Sequence, residues 1–380
     1  MKEGWTYKKL GEVCLIGIGR TPSRSDMSLW DKNKQTHNYW VSIADMGNAD
    51  RGYITDTKEY ISDKAAKNIQ IIPKGTLLLS FKLTLGKLAI AGTDLYTNEA
   101  IANLPFISNE VNQEFLSYYF QYFNWGKYSA GDEKVLGKTL NKKKLEVLPV
   151  YYPSLSEQQR IVSRLDAAFA YIDELKLNAE KQLSEARILF QKALTKAMEP
   201  KEGWEEKKLP DISENLDSMR KPVTKKDRTE GIYPYYGASG IVDYVDGYIF
   251  DEDLLCISED GANLLMRTYP IAFPISGKVW VNNHAHVLRF KCMATQKFVE
   301  YYFAGIKLDE YITGAAQPKL TQKALNNIVI NIPDSVDEQQ RIVSRLDAVS
   351  AHIRELEEVL QKTIAECDAL KQALLRKVFE

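Results

Sequence analysis

The sequence predicts an α+β protein: two mixed α/β domains separated by two long helices that pair as an antiparallel coiled coil, built as a pseudo-twofold tandem repeat. Three observations carry this. KEGWTYKKL at residues 2–10 returns as KEGWEEKKL at 201–209, and EQQRIVSRLDA at 157–167 returns letter for letter at 338–348. Each copy of the second motif then opens a run of apolar residues stepping by four and three. Eleven identical consecutive residues mark a duplication. Each copy reads as an opening segment, a body, a proline and a long helix. The chain therefore divides into a first domain at 1–153, a helix at 154–199, a second domain at 200–333 and a helix at 334–380. The copies are offset by 199 residues at the opening and 181 at the helix, so the bodies have drifted in length while the frame persists.

Composition sets the class. At 380 residues, 44% hydrophobic and 27% charged, the chain is long enough for two or three folded units and too apolar to be disordered. Fifty Lys and Arg against fifty-one Asp and Glu leave a net charge of −1, which excludes a wholly basic, histone-like binder but not local basic patches. No apolar run approaches the roughly 18 residues of a membrane span, and MKEGWTYKKL lacks a secretory h-region. Cys14, Cys256, Cys292 and Cys367 are scattered, as reduced cytosolic thiols would be. A soluble cytoplasmic protein without a membrane partner is expected.

The helices come next. Ser156 with Gln159, and Asp337 with Gln340, fit capping boxes, and Glu157 and Glu338 suit the positive end of the helix dipole. Pro200 stops the first helix. The first seam reads Ile161, Leu165, Ala168, Ile172, Leu175, Ala179, Ala186, Leu189; the second reads Ile342, Leu346, Val349, Ile353, Leu356, Leu360, Cys367, Leu370. Gln182 and Thr363 interrupt both at equivalent places. About 42 residues make a rod of roughly 60 Å, and a lone rod would leave its seam in water. Pairing of the two rods, antiparallel, covers both. A spacer between two unlike heads suits a reader of a split DNA site, whose half-sites recur about every 34 Å.

In the bodies, short apolar runs (Thr76–Phe81, Leu254–Ser258, Val279–Val281, Ala285–Phe290) predict strands, and helices fit Glu114–Phe123 and Gln296–Lys307. Basic residues cluster at 127–144 and 220–228. Apparent catalytic motifs fail on inspection. The stretch from Gly131 to Thr139 has five residues between its glycines where a phosphate loop needs four. Aligning Asn98-Glu99-Ala100 with Asn283-His284-Ala285 sets Glu99 and Ile101 opposite His284 and His286, too few ligands for a metal. No Pro-Pro, cofactor glycine turn or nucleophile set is present, so no catalytic residue and no metal site is assigned.

The order of body, EQQRIVSRLDA helix, GW–KKL re-entry, second body and second helix resembles the DNA specificity (S) subunit of type I restriction–modification systems. Gly19-Arg20-Thr21-Pro22-Ser23 resembles the family's GGTPS-like turn, with Arg20 in place of the second glycine. Tyr236-Gly237-Ala238-Ser239-Gly240 and Val281-Asn282-Asn283-His284-Ala285 resemble other recurring segments. The resemblance implies two target recognition domains, each reading half of a bipartite duplex site. It implies helices that measure the gap and dock two methyltransferase (M) subunits, and restriction/translocase (R) subunits that join to cut. No cofactor is expected on this chain; S-adenosylmethionine, ATP and Mg belong to the partner subunits. DNA contacts are expected from Arg20, Thr21, Arg24, Lys34 and His37 in head one, with Lys134 and Lys138 on phosphate. In head two they are expected from Arg220, Lys221, Ser239, Asn263 and Arg267, with Lys319 on phosphate. The competing class is a two-headed coiled-coil adaptor between proteins.

Overall fold

A computed structural model describes residues 3–47, 52–129, 133–134, 137–314 and 317–380, with the side chains of 133–139 outside the description. The chain forms two compact units, Met1–Asn178 with Thr363–Glu380, and Ala179–Lys362. Each unit thus holds one body together with part of both long helices.

In the first unit the opening strand Thr6–Lys9 pairs antiparallel with Pro149–Tyr152, closing the body on itself. A five-stranded sheet runs in the order Gly17–Ile18, Ile101–Leu104, Leu77–Ser80, Leu88–Ala91, Tyr53–Ile54. A smaller sheet sets Tyr39–Val41 between Glu59–Tyr60 and Tyr96–Thr97. Helix Gln113–Tyr122, N-capped by Asn112, buries Phe115, Leu116, Tyr119 and Phe120 in the main core. The second unit repeats this plan. Trp204–Lys208 pairs with Val329–Pro333, and helix Met293–Gly305 buries Phe298, Val299 and Phe303. Side chains recur with the frame: Trp5 packs on Phe115 and Trp204 on Phe298. Tyr118 donates to Asp166 at 2.6 Å and Tyr301 to Asp347 at 2.8 Å.

Hydrogen-bond register fixes which residues of the two bodies correspond. Trp40 pairs with Tyr96 in parallel as Tyr235 pairs with Trp280. Phe81 donates its N–H to the Ala100 carbonyl as Glu259 donates to that of His284. Asn98 accepts at Oδ1 from the N–H two residues on, and so does Asn282. Asn98 therefore matches Asn282, one residue earlier than the motif alignment suggested. Ala100 and Ala102, rather than Glu99 and Ile101, stand opposite His284 and His286. An Asn three residues before the strand is what the turn needs, and the second Asn at 283 disguises it in the sequence.

The long helices span Leu155–Ala197 and Val336–Phe379. They start within the predicted bounds and ahead of the predicted caps Ser156 and Asp337; in the second helix Ser335 Oγ accepts the Glu338 N–H, so the cap is Ser335 rather than Asp337. The pairing is antiparallel. In the first unit Asp173 meets Lys371 at 2.5 Å and Lys176 meets Asp368 at 2.8 Å, so partners descend in one helix as they ascend in the other. In the second unit Arg187 meets Glu357 at 2.7 Å. Ile161, Leu165, Ile172, Ile342 and Leu346 are buried and Ile353 is half-buried. Leu175 and Leu356, expected on the seam, are 39% and 40% exposed. After Ile172 and Ile353 the contact face steps by four, to Lys176 and Glu357, whose aliphatic stems cover the seam while their charges reach a partner across it. The next steps fall on Leu183 and Ile364, both half-buried, so the polar interruption at Gln182 and Thr363 lies beside the contact face.

Candidate nucleic-acid interface

In head one a single loop gathers three of the predicted contacts. Gly19 begins it: a Cβ there would fall 2.2 Å from the Thr97 carbonyl oxygen, so only glycine fits. Arg20 follows with negative φ, its N–H on the Thr97 carbonyl at 2.8 Å and its side chain exposed, so the turn accepts arginine. Its own carbonyl accepts from Trp40 Nε1 at 3.2 Å. Thr21 Oγ1 donates to Glu99. Arg24 engages both oxygens of Glu59, one of them at 2.9 Å, and lies 3.9 Å over Trp30. Lys34, with φ of 53°, reaches the Thr57 carbonyl at 2.8 Å and sits over Tyr60. His37 is exposed beside Tyr39. Lys134 and Lys138 lie on the paired strands Glu133–Lys134 and Gly137–Thr139, but their side chains are outside the described residues.

Head two divides its candidates. Lys221 and Ser239 are exposed, and the Lys221 carbonyl is held by Trp280 Nε1 at 2.7 Å. Lys319 is half-exposed, 3.1 Å from Glu259. Asn263 closes its own loop, donating to the Tyr269 carbonyl and accepting the Tyr269 N–H. Two arginines turn inward. Arg267, left-handed at φ 52°, donates to the carbonyls of Phe303 (2.7 Å) and Ile306, covering the C-terminal end of helix Met293–Gly305. Burial lowers the Arg267 pKa from its ordinary value. Arg220 donates to Glu259 (2.7 Å) and to the Ala285 carbonyl (2.7 Å), and lies 3.3 Å from Asp217. Both guanidiniums are held by acceptors within their own unit.

Around Arg220 lies a buried ionic network. His286 Nδ1 is 2.6 Å from Asp217 and its Nε2 is 2.8 Å from the Leu320 carbonyl. Burial pushes the Asp217 and Glu259 carboxyls up. For Asp217, His286, the Val287 N–H and Arg220 outweigh that, and for Glu259, Arg220, His286 and Lys319 do, so both end below the usual carboxylate range. Asp217, Glu259 and His286 come close enough to share a cation. Arg220 already supplies that positive charge to both carboxylates, so the set works as a salt-bridge network.

One basic residue was overlooked in the sequence. Arg228 lies 4.2 Å over Tyr235, with Nη1 2.9 Å from Asp243 and Nε 3.0 Å from the Val223 carbonyl. It sits in the basic run 220–228, but its partner is visible only through strand register. Among the described residues no helix is long and apolar enough to cross a membrane.

Comparison with known proteins gives this geometry a family. The model of the type I restriction modification DNA specificity domain matches twice, over residues 2–185 and 201–366. The chain belongs to that family. It is 31% identical over 186 residues to the MjaIX specificity subunit of Methanocaldococcus jannaschii, covering 47% of this chain and 40% of that one. It is 37% identical over 145 residues to S.HindORF215P of Haemophilus influenzae, covering 38% and 37%. The chain thus spans about two fifths of the length of these two relatives. The EcoprrI specificity subunit of Escherichia coli aligns more fully, at 23% identity over 92% of this chain and 88% of its own. The fold is shared with a chain from a type I R-M system structure, at a TM-score of 0.78 and 19% identity, covering 100% of this chain and 98% of that one. It is also shared with the HsdS subunit from Thermoanaerobacter tengcongensis, at 0.56 and 20%, over 100% and 97%. Both specificity domains of the present chain carry their basic loop against the same sheet position, Trp40 in one and Tyr235 in the other.

Proposed function

We propose that this chain is the non-catalytic, DNA-reading subunit of a cytoplasmic type I restriction–modification complex. Each head reads one half of a bipartite duplex site, and the paired helices separate the heads and dock two methyltransferase subunits. S-adenosylmethionine, ATP and Mg act on partner subunits, and restriction/translocase subunits complete the complex. The observation that carries this is the doubled specificity-domain match laid over two heads whose anchored basic loops differ in sequence. Two different loops on one repeated frame are what an asymmetric two-part site demands.

The test is adenine methylation mapped across the genome of cells carrying and lacking this gene. A two-part motif lost with the gene is the expected result; an unchanged methylome overturns the reading. The adaptor alternative is separated by affinity for random duplex. A nucleic-acid binder loses it steeply between about 50 and 200 mM salt, and a protein adaptor has none to lose.

A further inference from the structure

One arrangement occurs in both heads at equivalent places. In head one, Trp40 and Glu59 are cross-strand partners, and Arg24, between the Trp30 ring at 3.9 Å and the Trp40 ring at 4.9 Å, two rings set edge to face, holds the Glu59 carboxylate. In head two, Tyr235 and Asp243 are cross-strand partners, and Arg228 lies over the Tyr235 ring while holding the Asp243 carboxylate. The two aromatic residues occupy the same sheet position, since each pairs in parallel with the strand that follows the sheet's crossover. Both arginines belong to the connection that precedes the aromatic strand, but not to equivalent positions of it: at the offset of 199 Arg24 falls opposite Val223. Arg24 lies sixteen residues before its aromatic and Arg228 seven before. The same triad is thus built from non-equivalent positions of one connection.

Stability is a poor reason for such a recurrence, because a part-exposed ion pair is worth only about 0–1 kcal/mol. Phosphate binding is a poor reason too. The pair is neutral overall, and a phosphate beside the carboxylate would be repelled. What the triad does provide is orientation. The ring fixes the plane of the guanidinium and the carboxylate fixes its rotation: Glu59 takes both Nη groups of Arg24 and leaves its Nε edge, while Asp243 and the Val223 carbonyl take Nη1 and Nε of Arg228 and leave its Nη2 end. Guanine offers two acceptors, O6 and N7, to donors so left in the major groove. Resting on the DNA-reading function above, we propose that Arg24 and Arg228 each read one guanine, one per half-site, with Glu59 and Asp243 as the positioning residues.

The experiment selects bound molecules from a pool of random duplexes with the full chain and its variants R24K, E59Q, R228K and D243N. Lysine keeps the charge but not the fork, and the amides keep the shape but not the charge. Wild type should select a two-part site. R24K and E59Q should each lose preference at one G·C pair in one part, by roughly ten- to a hundredfold. R228K and D243N should do the same in the other part. Melting temperature and affinity for random duplex should stay at wild-type values, and 7-deazaguanine at the affected base should reproduce the lysine variant. Full preference retained by the lysine variants would reduce the arginines to point charges and overturn the proposal. So would a loss spread evenly over a half-site with lowered melting, which marks a clamp for the loop. A wild-type chain that selects nothing would instead overturn the DNA-reading function itself.

Discussion

At one place in the repeat the two heads solve the same packing problem with opposite chemistry. Head two buries Asp217, Glu259 and His286 around Arg220. Strand register puts Ile18, Phe81 and Ala102 at the matching positions of head one, and Thr21 falls opposite Arg220 at the offset of 199. Phe81 and Ala102 are fully buried in the main core of their unit, Thr21 is half-buried and Ile18 is 41% exposed. One frame therefore accepts a charged cluster or a set that carries no charge. A buried ionic network is costly to break and often cheap to replace whole, because its attraction mostly offsets desolvation. The comparison implies that the network of head two is tolerated by the fold rather than required by it.

The sharpest way to break that comparison is to remove one charge. Asp217→Asn leaves Arg220 and His286 facing a neutral amide and should cost about 3–5 kcal/mol. The fourfold exchange D217I/R220T/E259F/H286A imports the chemistry of head one and should cost far less. Native-state hydrogen exchange of the Leu254–Ser258 amides reads both. A fourfold variant as damaged as the single one would show that the network is indispensable.

Acid gives a second route. Asp217 and Glu259 both titrate below the usual carboxyl range in the folded state. A depressed carboxyl contributes stability that is fully present above its unfolded value, about pH 4–4.5, and is lost as pH falls through the folded value. Head two should therefore lose protection of the same strand below about pH 4. The fourfold variant should lose that dependence, and a variant retaining it would place the acid sensitivity elsewhere.

Arg20 and Arg267 show where reading from sequence stops. Both are arginines beside turns in segments that look alike as strings. One is exposed at the tip of a glycine-tight loop; the other is folded back onto two carbonyls at a helix end. Only the φ of 52° at Arg267 and the position of helix Met293–Gly305 decide this, and neither is a local property of the sequence. Arg267→Ala should cost head two about 1.5–3 kcal/mol, the range for hydrogen bonds from a charged group, read by exchange of the amides at 261–270. Arg20→Ala should leave stability within about 0.5 kcal/mol. Equal stability losses would erase the distinction. The repeat, the strands at Leu254–Ser258 and Ala285–Phe290 and the antiparallel rods were legible because identity and apolar period are local signals. The seam's phase was not, because Leu175 and Leu356 look like better core than Lys176 and Glu357 until the partner's charge is in view.

That charge explains why the rods choose each other. Lys176 and Glu357 are equivalent under the repeat, as are Arg187 and Asp368. The two native bridges, Lys176–Asp368 and Arg187–Glu357, are therefore one contact with its signs reversed. Two copies of the first helix paired antiparallel would set Lys176 against Arg187. Two copies of the second would set Glu357 against Asp368, and both pairings repel. Each bridge is part-exposed and worth about 0.2–1 kcal/mol by itself, but against a like-charge alternative it counts twice, as attraction kept and repulsion avoided. Arg187→Glu should lower stability by about 1 kcal/mol and turn the first helix's self-pairing from repulsive to attractive. The expected readout is a concentration-dependent dimer of the full chain by sedimentation, weakening as salt rises. A variant that stays monomeric at every concentration would assign the choice of partner to the alanine-lined seam instead.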